Sequence, residues 1–153
     1  MGGARNNGAG YRTAPSAGAT YPLEVYAAVG EVAGRDPGLY RYLPQMHSLE
    51  AVFAGDLRDQ LYHAALRQQP VRDAPVVLVV TAVPARTERR YGARAVRYVA
   101  MEAGHASQNI YLQATGLELG TVAIGAFDDA ALSSALELTD GEQPFYLMPV
   151  GRR

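Results

Sequence analysis

The spacing of apolar and polar positions changes several times along the chain. Pro22-Leu-Glu-Val-Tyr-Ala-Ala-Val29 is rich in β-formers and gives way to Gly30 and Gly34, and Gly38-Leu-Tyr-Arg-Tyr-Leu43 repeats the pattern after the turn signal Asp36-Pro37-Gly38. This predicts two adjacent strands joined as a hairpin. Leu57, Leu61, Ala64, Ala65 and Leu66 then fall at helical spacing up to Gln68, with Asp56 as N-cap and Pro70 and Pro75 ending the element. Val76-Val-Leu-Val-Val-Thr-Ala-Val83 is a continuous β-branched run without polar alternation, which suits a strand buried on both faces. The stretch from Ala93 to Thr115 is the longest helix candidate, closed by Gly116 in the C′ position. Leu119 to Ile124 reads as a strand, Asp128 caps a short helix through Leu136, and Pro144 to Val150 forms a last strand running into Gly151-Arg-Arg153. The pattern predicts one layered α+β or α/β domain of about five strands and three helices.

The long helix carries the first chemical signal. On a helical wheel Tyr98, Glu102, His105, Asn109 and Gln113 share one arc of about 80°, apart from an apolar arc of Val96, Val99, Ala103, Ala106, Ile110 and Ala114. The polar stripe is either a solvated face or a lining that meets a ligand or a subunit. His, Asn, Gln and Tyr are mediocre helix formers that tend to be present for their hydrogen bonds, which favours a lining. Metal binding explains it poorly, because neither His47 nor His63 stands at a spacing that would join His105 and Glu102 in a site.

Composition removes other classes. The 153 residues contain no cysteine, which excludes a disulfide framework and thiolate metal ligation. All 14 cationic residues are arginine, so a Schiff-base lysine and a P-loop are excluded. Against 15 acidic residues they leave a formal charge of −1, giving no general electrostatic case for binding nucleic acid or an anionic membrane. No apolar run reaches membrane-span length, and Met1 to Gly10 has no hydrophobic core of a secretory signal, so a cytoplasmic location is expected. Four glycines and two asparagines in those ten residues predict a flexible coil over residues 1–11, with structure beginning at Arg12.

Several collinear blocks resemble the SagB-type dehydrogenases, the thiazoline/oxazoline oxidase branch of the flavin-dependent nitroreductase superfamily. Arg12-Thr-Ala-Pro-Ser-Ala-Gly-Ala-Thr-Tyr-Pro-Leu-Glu-Val-Tyr26 is similar to that family's RTAPSAGALYPLEVY block. Gly38-Leu-Tyr-Arg-Tyr42 resembles GLYHY, Ala74-Pro-Val-Val-Leu78 resembles APVVL, and Arg97 to Leu112 resembles RYxxxEAGHxxQNLYL. Gly120 to Asp129 and Pro149-Val-Gly-Arg152 resemble the closing segments.

The resemblance implies a nitroreductase-like α+β fold over residues 12–153, three-layered, with a central, mostly antiparallel sheet flanked by helices. It also implies an FMN cofactor and a homodimer with flavin sites at the subunit interface. Ser16, Ala17 and Gly18 would contact the flavin ring, since a flat ring approaches backbone closely only where side chains are small. Ile124 and Gly125 would lie near the reactive ring edge, where a backbone N–H can hydrogen-bond N5. Gln108 and Asn109 would support the site, and Arg12, Arg152 and Arg153 would supply charge to the phosphate.

The chain departs from this pattern in two places. Azoline-oxidising members carry a Lys-Tyr pair ahead of the long helix, with the lysine thought to act as base; the aligned residues here are Arg90 and Tyr91. A guanidinium stays protonated, so Arg90 can bind an anion or stabilise negative charge but cannot abstract a proton as neutral lysine does. The family's N-terminal Arg-Arg-Ser-type phosphate motif is also unmatched, because Met1 to Gly10 offers only Arg5. Relative to the family the domain is expected to be N-terminally truncated, with exposed apolar patches and obligatory association. Two functions are therefore expected: an FMN-dependent oxidoreductase acting on a small conjugated molecule or a peptide azoline, or a cofactor-poor binding or scaffold subunit of a peptide-modifying assembly.

Overall fold

The computed structural model describes residues 12–152; the coil expected over residues 1–11, and Arg153, lie outside the described residues. Six strands form a single antiparallel sheet, β1 (Leu23–Val29), β2 (Gly38–Leu43), β3 (Ser48–Ala54), β4 (Val76–Ala82), β5 (Leu119–Thr121) and β6 (Gln143–Arg152), in the order β3-β2-β1-β4-β6-β5. The β-branched run becomes β4, held between β1 and β6 with both faces covered, as expected for a strand without polar alternation. The expected hairpin is present, with Val29 opposite Gly38.

Five α-helices complete the layers: α1 (Arg58–Ala64), α2 (Gln69–Asp73), α3 (Ala85–Tyr91), α4 (Ala95–Gly116) and α5 (Asp129–Ala135). Leu61, Ala64 and Val71 of α1 and α2, with Leu132 of α5, pack on Tyr26, Val77, Val79 and Leu147 to form the main core. Side chains alternate across a strand, so Leu78, between Val77 and Val79, points to the other face, where α4 presents Ala106 and Ile110. The sheet is thus the middle of three layers.

The structure also revises several sequence expectations. Strand β3 was not expected; it is an edge strand whose Leu49 and Val52 are exposed, so its pattern lacks a buried stripe. Pro70 does not end a helix but opens α2 from its first turn, where a missing N–H costs nothing. Asp56 caps the start of α1 as expected, its Oδ1 accepting from the Arg58 N–H at 3.0 Å, and its carboxylate also binds the Arg58 guanidinium at 2.7 Å. Gly116 is still helical; the left-handed residue that follows is Glu118, at φ 60°. Asp128 does cap α5, accepting from the Ala131 N–H at 2.8 Å. The last strand before it is shorter than expected, β5 ending at Thr121 and Ile124 making only an isolated bridge to Leu147.

Candidate functional site

Between Ser16 and β1 the chain makes one tight turn. A single 3-10 turn over Ala17–Ala19 places Gly18, Ala19 and Tyr21 at φ of 57°, 54° and 46°. Only glycine adopts that region without cost, and Ala19 and Tyr21 each carry about 1–2 kcal/mol of strain there. Hydrogen bonds from three sides hold the turn. The Ser16 hydroxyl oxygen accepts from the Tyr21 N–H at 2.9 Å, and the Thr20 hydroxyl donates to the Ala17 carbonyl at 3.0 Å. With its proton used there, Thr20 accepts from the buried Thr87 hydroxyl of α3 at 2.9 Å.

From α4, Glu102 reaches the same turn. Its carboxylate faces the Ser16 hydroxyl and the Ala17 N–H, two donors that favour its charged form, and the residue is 5% exposed. Burial pushes the Glu102 carboxyl above the ordinary carboxylate range, while these donors and the charge of Arg12 oppose that rise. The polar stripe read from the wheel is therefore divided. Glu102 is buried and Asn109 half-buried, donating to the Thr13 hydroxyl at 3.2 Å, whereas His105 and Gln113 face outward. Val96, assigned to the apolar arc, is 71% exposed, because the first turn of α4 buries Ala95 and Val99 and turns Val96 outward. Beside the turn, a cavity of about 460 Å³ opens between residues 12–14, β1 and α4, with Leu23, Val25 and Leu78 as apolar walls and Arg12, Glu102 and Asn109 as polar ones.

Arg90 and Tyr91 close the turn from α3. The Arg90 guanidinium donates from Nη1 to the Gly18 carbonyl at 3.1 Å. A Cβ on Gly18 would lie 2.6 Å from the Tyr91 hydroxyl and 2.9 Å from Arg90 Cδ, so the absence of a side chain at Gly18 is what lets the pair pack there. Tyr91 is further braced edge-on by Tyr98, with ring centroids 5.1 Å apart. Arg12 lies over the Tyr21 ring at 4.1 Å.

The candidate residues named from the sequence thus fall into two groups built by different elements. Arg12, Ser16, Ala17, Gly18, Arg90, Tyr91 and Asn109 surround the strained turn. Ile124, Gly125 and Arg152 belong to the far side of the sheet order, around β5 and β6. The Ile124 N–H is committed to the Leu147 carbonyl at 2.8 Å, and the Ala126 carbonyl accepts from Gln68 at 2.9 Å; among the described residues the Gly125 N–H has no partner. Arg152 is exposed at the end of β6, opposite Leu119, and Gln108 is exposed on α4. Sequence reasoning did not single out Glu24, Arg86 or Thr87. The readable trace of Arg86 was its spacing, four residues before Arg90 on what proves to be a helix.

This architecture matches a known family throughout. The family model described as the nitroreductase family matches residues 4–152. A Methanocaldococcus jannaschii protein named "Putative nitroreductase" is 48% identical over 144 residues, 94% of this chain and 72% of that protein. A crystal structure of the same designation from Anabaena variabilis is 31% identical with a TM-score of 0.84, covering 93% of this chain and 29% of that one. At 22% identity and a TM-score of 0.81, the E. coli microcin synthetase McbBCD complex with truncated pro-MccB17 bound shares the fold over 97% of this chain and 59% of its own. The chain belongs to the nitroreductase family. It spans less than a third of the Anabaena chain's length. No helix among the described residues is long and apolar enough to cross a membrane.

Proposed function

We propose that the protein is an FMN-dependent oxidoreductase of the SagB-type branch, a cytoplasmic homodimer in which residues 12–153 act as one nitroreductase-like domain on a small conjugated or peptide azoline substrate. One observation carries the reading: Arg90 and Tyr91 pack directly on Gly18, although 72 positions separate Arg90 from Gly18 in sequence. The cofactor block and the catalytic pair of the resemblance are thereby neighbours.

The residues present fit the cofactor chemically. Ser16, Ala17 and Gly18 form a backbone surface without large side chains, Gly125 has an uncommitted N–H, and Arg152 is an exposed guanidinium suited to a phosphate. FMN held where the turn of one protomer meets the β5–β6 group of its partner would supply reversible hydride transfer at N5. The chain's own residues bind and orient. The Gly125 N–H would hydrogen-bond the ring edge in place of the committed Ile124 N–H. The Tyr91 hydroxyl, its ring braced by Tyr98, is a group able to donate or accept a proton beside the turn. Arg90 holds the Gly18 carbonyl and offers its remaining N–H donors to negative charge on a substrate, without acting as base.

Arg90 also favours a second reading, a cofactor-poor binding or scaffold subunit of a peptide-modifying assembly, since a permanently charged side chain replaces the family's lysine. The fold shared with a chain of the McbBCD complex supports that alternative. Two variants separate the readings. In assays with an azoline peptide and with a quinone, Tyr91→Phe is expected to lower turnover by about 10²-fold or more on the azoline peptide. Arg90→Lys is expected to raise it. Unchanged turnover in both variants removes the pair from catalysis, and no turnover of either substrate by the wild-type protein favours the scaffold reading.

A further inference from the structure

Helix α3 grips the strained turn twice. Arg86 and Arg90 stand four residues apart, so both point from one face of the helix. Arg90 Nη1 donates to the Gly18 carbonyl at 3.1 Å, and Arg86 Nη1 donates to the Tyr21 carbonyl at 3.0 Å. The two guanidinium groups thus hold the first and last left-handed residues of the turn, and Thr87, between them, holds Thr20.

The two grips differ in how they are anchored. Arg90 is exposed and, among the described residues, has no carboxylate partner. The second arm of Arg86, Nη2, lies 2.6 Å from Glu24 Oε1, and Glu24 is buried in β1 with its other oxygen 3.0 Å from Arg41 Nη2. A planar guanidinium serves a carboxylate and a carbonyl together in fixed directions, which the single ammonium of lysine does not reproduce. Glu24 therefore transmits the position of the central sheet through Arg86 to the turn. A turn with two non-glycine residues in the left-handed region persists only where its surroundings over-determine it, and among the described residues Arg86 is the contact that ties it to a buried charge in the sheet.

We propose that Arg86, fixed by Glu24, is a positioning residue that sets the Gly18–Tyr21 turn in the conformation against which the flavin ring packs. The role rests on the flavin reading given above, and the test keeps the two apart. Amide hydrogen exchange on flavin-free protein reads the turn itself, because the Ala19 and Tyr21 N–H groups are both bonded to Ser16. FMN titration, followed by the visible spectrum of the bound flavin, reads the consequence.

In Arg86→Met the Ala19 and Tyr21 amides are expected to exchange about tenfold faster while those of β4 keep wild-type rates, and the FMN Kd is expected to rise about tenfold. Arg86→Lys, which keeps the charge without the fork, should fall between the two. Turn exchange within about twofold of wild type in both variants overturns the proposal, as does faster exchange with an unaltered FMN Kd and spectrum. Acceleration spread equally over β4 marks general destabilisation and also overturns it. A wild-type protein that takes up no FMN removes the flavin reading and this role with it, even where the exchange rates show that Arg86 holds the turn.

Discussion

At Glu102 two effects act on one carboxyl group. Burial favours its neutral form, and the Ser16 hydroxyl, the Ala17 N–H and Arg12 favour the charged one; burial is the larger. A carboxyl whose folded pKa lies above its ordinary 4.5 contributes stability that is complete below that value and is lost as pH rises through the folded pKa. Glu102→Gln is neutral throughout and keeps one oxygen for the two donors. The variant's urea midpoint should therefore decline less than that of wild type between about pH 4.5 and pH 7, and parallel curves for the two proteins would contradict this assignment. The helical wheel grouped Glu102 with His105 because angle alone carries no information about what lies above a helix. Only the chain over residues 12–21, lying along the middle of α4 at Glu102 and Asn109, makes one residue buried and leaves the other in solvent.

Among the elements, the turn over Ala17–Ala19 concentrates the cost of building the site. Gly18→Ala would place a methyl group against the Tyr91 hydroxyl and Arg90 Cδ at a left-handed residue. The expected loss is about 1–2 kcal/mol of unfolding free energy, read as a lower urea midpoint, together with displacement of Arg90 and Tyr91; an unchanged midpoint would contradict the packing described. The longer elements were legible from periodicity because each buries a stripe: β4 between two strands, and α4 through Val99, Ala103 and Ala114. Helix α3 was not, since Thr87 is its one buried residue and its remaining positions serve the turn or the solvent. The element that brings Arg90 and Tyr91, the proposed catalytic pair, to Gly18 thus carries almost no apolar signal. The motif resemblance identified its residues, and the fold alone explains how they reach the turn.

For the whole molecule, the three-layer arrangement was legible because the strand runs and the resemblance agree, while the edge strand β3 and the division of the candidate residues into two groups were not. Pairing of distant elements leaves no local trace in the chain. On its outward face α4 carries Met101 and Leu112, 53% and 63% exposed, with Gln108 between them. Apolar side chains of this size on a long helix suit a subunit interface, where leaving water is favourable. Charging both positions, Met101→Glu with Leu112→Glu, is expected to convert a dimer to a monomer in sedimentation and to lower flavin content with it; a wild-type monomer, or a variant that remains dimeric, would contradict an interface on this face. The most direct test of the account is the absorbance of the purified protein after incubation with FMN and removal of free flavin. It predicts a protein-bound flavin spectrum at close to one FMN per chain, and a protein that stays colourless would contradict it.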